Sequence, residues 1–256
     1  MAHTTTASET KPPLRTLPED WTSALAIVAH PDDMEYGAAA AVARWTSQGK
    51  TVHYVLASRG EAGIDGMRPD DVRPIRVAEQ QAACDAVGVS SLEFLDHPDG
   101  VISDVMRLRR EFAHAIRRLQ PDVVITINHR DSFGPGTFNM ADHRVVGLAV
   151  LDAVRDAANR WIFPDLVDAD GRTLSPWPGV QFTAIAASPQ PTHAVDVTDT
   201  VEAGIESLKA HTAYLAGLGK PGADPDSLGR SFVMRDADRF GGMPCTAFEV
   251  IGVPLE

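Results

Sequence analysis

Cysteine is nearly absent from this chain. Only Cys84 and Cys245 occur in 256 residues, far apart and without a Cys-x-x-Cys pair. That argues against a disulfide-stapled scaffold and against a thiolate zinc site. Basic charge is also short. Twenty-three Lys and Arg stand against 35 Asp and Glu, a formal net charge of −12. A chain so acidic is poorly suited to gripping phosphate backbones or an anionic membrane surface, so neither nucleic acid nor membrane is an expected partner. No apolar run approaches the roughly 18–20 residues that a membrane helix needs. The opening stretch, Met1 to Asp20, is rich in Thr and Pro and lacks the apolar core of a signal peptide. It reads as a flexible tail (1–20) ahead of a single domain (21–256), and the expected location is the cytoplasm. Repeats and low-complexity tracts are missing too. What remains is an ordinary globular composition, 44% hydrophobic and 23% charged, with nine histidines.

The apolar runs are short and regularly spaced. Ala24–Ala29, Thr51–Leu56, Leu92–Leu95 and Val123–Ile127 read as strands, the first and last continuous enough to be buried on both faces. Between them, Tyr36–Gln48, Pro74–Val87 and Val105–Leu119 read as helices, the first two followed by glycine stops at Gly49 and Gly88. Strand and helix alternate, which predicts an α/β fold with a mostly parallel sheet and helices on both faces. Asp142 sits where a helix cap belongs, and that helix is expected to run to about Ala158. Gln181–Ala187 and Ala194–Val197 are expected as later strands and Thr200–Leu215 as a last helix. Gly217 to Glu256 shows no clear pattern. No Gly-x-Gly-x-x-Gly follows the first strand, which weakens any case for dinucleotide binding.

In open α/β sheets, ligands sit outside the carboxyl ends of the strands. The residues just after each strand are therefore the candidates. They are His30-Pro31-Asp32-Asp33, then Ser58 to Gly63, then Asn128 to Arg144. Two adjacent carboxylates are costly unless a positive charge lies beside them. A divalent metal would supply it. His30 and Asp33, three apart on a turn entering a helix, can face one point while Asp32 points elsewhere. His143, at the start of its own helix, is the natural third ligand, and three N/O ligands suit an open catalytic metal site. Taken alone, the tetrapeptide also fits a surface turn capped by Asp.

Val28-Ala-His-Pro-Asp-Asp33, followed by Glu35 and Gly37, resembles the opening motif of the PIG-L / LmbE-like zinc-dependent N-deacetylases. Ser58-Arg-Gly-Glu-Ala-Gly63, Arg76-Val-Ala-Glu79 and Asp142-His143-Arg144-x-x-Gly147 resemble that family's later segments in order and spacing. Lys209-Ala-His211 also fits. The resemblance implies a Rossmann-like, three-layer α/β/α fold. It implies His30, Asp33 and His143 as metal ligands, with Zn2+ as the default and Fe2+, Co2+ or Mn2+ also accepted by such ligands. It implies Asp32 as general base. Arg76, Asp99 and Glu61 are the substrate-binding candidates. The implied reaction removes the acetyl group from an N-acetylglucosamine-containing small molecule or glycoconjugate, and the resemblance allows a homo-oligomer. His97-Pro98-Asp99 repeats part of the metal motif but lacks the second Asp, and is read as a loop.

One position departs from the family pattern. Many members carry His-Pro-Asp-His, whose first His helps hold the oxyanion; here that position is Met140, and the tyrosine some members place two residues earlier is Phe138. Methionine cannot donate a hydrogen bond. His129, His193 and Asn139 are the candidates to replace the donor. Two other readings stay open. His30, Asp32 and His143 also spell the two-His-one-carboxylate set of non-haem iron oxygenases. A metal- or sugar-binding module without activity is the other.

Overall fold

The computed structural model describes residues 11–219 and 224–252. Strand β1 (Arg15–Thr16) is followed by β2 (Ser23–Val28), helices α1 (Asp33–Gly37) and α2 (Ala39–Ser47), β3 (Thr51–Leu56), α3 (Pro69–Ala86) and β4 (Ser91–Phe94). Then come α4 (Val105–Leu119), β5 (Val123–Ile127), a small hairpin of β6 (Ser132–Gly134) and β7 (Thr137–Phe138), and α5 (Ala141–Ala158). The remainder is β8 (Phe182–Ala186), β9 (His193–Asp196), α6 (Val201–Lys209), α7 (Thr212–Gly217), α8 (Pro225–Met234) and β10 (Cys245–Ile251). Among the described residues no helix is long and apolar enough to cross a membrane.

Eight strands form one sheet in the order β1-β9-β10-β8-β5-β2-β3-β4. Strands β8, β5, β2, β3 and β4 run parallel, and only β10 is antiparallel to its neighbours. Every residue of β5 and β8 is buried, as their largely apolar sequences, each with one Thr, suit strands covered on both sides. Helices α2, α3 and α6 pack on one face and α4 and α5 on the other, giving the expected three layers. Helix α4 shows how the sequence fixes one of them. Leu108, Phe112, Ala115 and Ile116 recur on one face and are buried, and Asp104 caps the start by accepting from the Arg107 amide at 3.0 Å.

The chain leaves β2 toward β3 on one side, and β5 returns on the other side of β2. This reversal opens a crevice at the carboxyl ends of β2 and β5, the place where such sheets bind ligands. Glycine lets α5 settle close to that edge: a Cβ at Gly147 would lie 2.9 Å from the Ile127 carbonyl oxygen and 2.8 Å from the His129 Cβ.

Several expectations are corrected. Residues 1–10 lie outside the described residues, but residues 11–20 are not a free tail. Arg15–Thr16 pairs with β9, Leu14 and Leu17 are buried, and the Leu17 amide donates to the Ala194 carbonyl at 2.9 Å. The expected helix over 36–48 begins at Asp33 and breaks at Ala38, whose φ is −153°. Helix α3 starts at Pro69, five residues early, with Pro74 inside it; Pro69 occupies the first-turn position that favours proline. Asp142 is not a cap. Met140 holds that position, and the Asp142 carboxylate is used elsewhere.

Candidate active site

The left-handed turn at Asp32, with φ 83°, separates the two adjacent carboxylates. A non-glycine residue held there stores strain of about 1–3 kcal/mol, and such strain gathers at functional sites. Asp33 turns back on its own strand end. Its Oδ2 accepts from the Ala29 and His30 amides, both at 2.9 Å, leaving Oδ1 free. That oxygen lies 3.0 Å from His143 Nε2 and 3.8 Å from His30 Nδ1.

Each imidazole is oriented through its other nitrogen. His30 Nε2 donates to Asp142 Oδ2 at 3.1 Å and lies 3.1 Å from Asp99 Oδ1. Asp142 is itself fixed by the Gly100 amide at 2.7 Å and the Ile102 amide at 3.1 Å. His143 Nδ1 donates to Asn139 Oδ1 at 3.0 Å, and both amide hydrogens of Asn139 go to the Asn128 and Arg130 carbonyls. Outer partners of this kind select the tautomer that leaves the inner nitrogen's lone pair free. His143 Nε2 is buried and has no hydrogen-bond partner. His30, Asp33 and His143 thus converge, with His143 Nε2 left without a hydrogen-bond partner, and the three residues bring their ligating atoms within 4.8 Å of one another. Buried acceptors without donors are costly, and this set fits a divalent metal.

The charges respond to this crowding. Burial would lower the pKa of His30, but the carboxylates of Asp142, Asp33 and Asp99 outweigh it and raise it well above the usual range. Burial would raise Asp33, yet His143 and His30 hold it far below an ordinary carboxylate. Asp32 is different. Burial dominates and pushes it up to about 6, with Arg76 pulling the other way.

Asp32 sits outside the ligand cluster, and a second buried network holds it. Its amide donates to Gln80 Oε1 at 2.9 Å, and Arg76 Nη2 donates to Asp32 Oδ2 at 2.9 Å and to the Pro31 carbonyl at 2.7 Å. Arg76 is 1% exposed. Its other terminal nitrogen lies 3.5 Å from Glu79 Oε2 and 3.4 Å from His211 Nδ1, and its guanidinium lies 3.9 Å from the centre of the Tyr214 ring. Arg76 therefore lines the cleft with both terminal nitrogens already committed, while its Nε is buried without a hydrogen-bond partner. Asp99 also lines it, with Oδ2 accepting from the Ala62 amide at 2.8 Å.

Three expected residues do not reach the cleft. Glu61 is turned into the wall, its Oε1 between the Asp99 amide at 3.3 Å and Arg73 at 3.4 Å. His129 lines a separate shallow hollow with Arg130, Leu148 and Pro189, because its side chain is pinned over Gly147. His193 stands at the level of the Ala186 strand end, since both pair with Phe248. It is nevertheless four strands from β2, about 19 Å at the usual spacing of about 4.8 Å, and its Nδ1 is bonded to Thr192. With Asn139 committed as well, none of the three candidate donors replaces the missing histidine. His97 is no ligand either; its Nε2 bonds Glu111 at 2.6 Å.

The cleft holds groups that the sequence did not single out. Tyr36 and Tyr214 face it, along with Phe133 and Phe232, around a cavity of about 400 Å³. Burial raises both phenols, Tyr36 to about 12, so each is a hydroxyl donor at neutral pH. Tyr36, three residues past Asp33, carried a helical signal that could have exposed it. Phe232 lies in the stretch after Gly217, where no pattern was visible.

Residues 25–154, just over half the chain, match the family PIG-L, described as GlcNAc-PI de-N-acetylase. A 1D-myo-inositol 2-acetamido-2-deoxy-alpha-D-glucopyranoside deacetylase from Geodermatophilus obscurus is 31% identical over 169 residues, 56% of each protein. The chain spans about half the length of the curated relatives it matches. Among solved structures, the N,N'-diacetylchitobiose deacetylase of Pyrococcus horikoshii superposes with a TM-score of 0.79 at 20% identity, covering 91% of this chain and 85% of that one. A 4-carboxy-2-hydroxymuconate hydratase from Pseudomonas putida gives 0.71 at 19% identity, covering 92% and 98%. The fold alone therefore does not select one reaction.

Proposed function

We propose, since this chain belongs to the PIG-L family, that it is a zinc-dependent hydrolase removing the acetyl group from an N-acetylglucosamine-containing small molecule or glycoconjugate. The observation that carries this is the division of labour between neighbouring acids. Asp33 joins His30 and His143 as a ligand set, while Asp32 is held apart by Arg76.

His30, Asp33 and His143 would hold the metal, which when bound polarises the acetamide carbonyl and makes water a better nucleophile. Asp32 takes the proton of the attacking water. Its carboxylate, buried and poised near neutrality, is matched to that task. The same carboxyl then delivers the proton to the departing nitrogen as the C–N bond breaks, giving acetate and a free amine. Arg76 keeps Asp32 aimed at the cleft, and Asp99 offers its carboxylate to the substrate's hydroxyls. Met140 brings no hydrogen bond to the carbonyl oxygen, so Tyr36 is assigned as the protein donor; Tyr214 is engaged with Arg76 and Asp32.

The test is acetate release from N-acetylglucosaminides by zinc-loaded protein, chelator-treated protein and D32N. D32N should bind zinc normally and lose about 10²–10⁴ in turnover, the span of general-base catalysis. Equal turnover by D32N would sink the assignment. Product formation that needs O₂ and a keto acid would favour the oxygenase reading, and zinc binding without acetate release the inactive module.

A further inference from the structure

The cleft has two unlike walls. One carries His30, Asp32, Asp33, Arg76, Asp99 and His143. The other is built from Tyr36, Ile127, Phe133, Tyr214 and Phe232, contributed by five separate elements, and from Met140 at the N-cap of α5. Phe133 meets the His143 ring edge-on at 6.0 Å, and Tyr36 meets Phe232 in the same way at 5.7 Å. The apolar surface therefore begins beside the ligand cluster. It also continues outward. Met140, a lining residue, is 53% exposed. Contiguous apolar surface at the mouth of a cleft marks a place where a ligand sits.

A sugar alone does not use such a wall. One aromatic ring can cover the C–H face of a pyranose, but hydroxyls pressed against Ile127, Met140 and Phe232 would lose water and gain no partner. A cavity of about 400 Å³ has space for a sugar and a second, apolar group. Its lining reaches solvent at Met140, which lets that group project away from the reacting amide. Methionine, soft and adaptable, suits that contact better than the imidazole it replaces.

We propose that the substrate is amphiphilic: an N-acetylated aminosugar whose aglycone is an alkyl or aryl group lying on the Phe133–Met140–Phe232 wall. Which bond is cleaved rests on the deacetylase reading; the apolar preference is also measurable by binding alone.

Zinc-loaded protein is offered N-acetylglucosamine, its n-hexyl β-glycoside, and N-hexanoylglucosamine. The hexyl glycoside should exceed N-acetylglucosamine in kcat/KM by about 10-fold or more, the discrimination expected of added methylenes in an apolar pocket. F133A and F232A, made singly, should each shrink that ratio, which is internal to each protein and so is not imitated by partial unfolding. Calorimetry with the deacetylated pair, hexyl β-glucosaminide and glucosamine, should show the same order without turnover. Equal values for the two glycosides in both assays overturn the proposal. A preference for N-hexanoylglucosamine instead overturns the aglycone placement. If no acetate appears but hexyl glucosaminide binds tighter, the deacetylase reading fails and the apolar subsite stands.

Discussion

Arg76 and Arg110 make nearly the same contact with an aspartate and should differ several-fold in what their loss costs. Arg76 donates to Asp32 at 2.9 Å, and Arg110 makes two bonds of 2.8 Å to Asp165. Bond length would rank Arg110 first. Burial reverses the order. The Arg110 and Asp165 side chains are 40% and 70% exposed, whereas those of Arg76 and Asp32 are 2% and 9% exposed. Water re-solvates Asp165 when Arg110 is replaced, so Arg110→Met should cost about 0–1 kcal/mol. Arg76→Met leaves the Asp32 and Glu79 carboxylates, 9% and 8% exposed, without their countercharge and the Pro31 carbonyl unpaired. Breaking a buried pair in this way costs about 3–5 kcal/mol. The lost stacking on Tyr214 adds about 0.5–2 kcal/mol. Urea unfolding of chelator-treated protein at pH 8, followed by far-UV circular dichroism, gives both values if m is unchanged. A loss below about 1.5 kcal/mol for Arg76→Met, or parity with Arg110→Met, would refute the reasoning.

Other outcomes follow from the same geometry. Y36F should lower turnover by about 10² with little change in KM, since an oxyanion donor acts mainly in the transition state; an unchanged kcat would remove Tyr36 from that role. D142N weakens the hold on His30 and should lower metal affinity about 10–100-fold, read by competition with a chromophoric chelator. Cys84 and Cys245 are buried, and burial pushes their thiols up to about 12 and about 11, so neither should react with iodoacetamide at pH 8 until urea unfolds the chain. Burial would raise Glu249, but bonds to Arg130 and Ser188 bring it below its usual 4.5. Its folded value is depressed, so its contribution is present above pH 4.5 and fades as acid protonates it. E249Q should therefore melt below the wild type at pH 7, and the gap should close at acid pH.

The parts of the fold that could be read in the sequence are those where one local pattern decides the structure. Strands β2, β5 and β8 are mostly apolar runs, with only Ser23, Thr126 and Thr183 polar, and burial on both faces leaves them no other arrangement. The clustering of His30, Asp33 and His143 was legible for a related reason: His30 and Asp33 directly follow a buried strand, and His143 lies in the first turn of a helix at the same edge. Strand β10 was hidden because Thr246 and Glu249 interrupt its apolar residues, and its partners lie about 50 residues or more upstream. That single miss misplaced His193, since β10 fills the space that would have brought it nearer. Glu61 and Asp142 failed differently. The direction of a polar side chain depends on which amides it finds: Glu61, in its loop, turned to the Asp99 amide, and Asp142, in the first turn of α5 and not at its cap, to those of Gly100 and Ile102.

The placement of β10 also constrains how the protein can be made. It is the last strand in sequence among the described residues, yet it lies between β8 and β9, which precede it. A nascent chain can assemble β2 through β8 as they leave the ribosome, but β9 and β1 have no route onto that sheet until residues 245–251 have cleared the exit tunnel. Until then the β8 edge is bare and open to pairing with another chain, so a slow codon or pause shortly before this segment would prolong the interval in which the half-built sheet is exposed to aggregation.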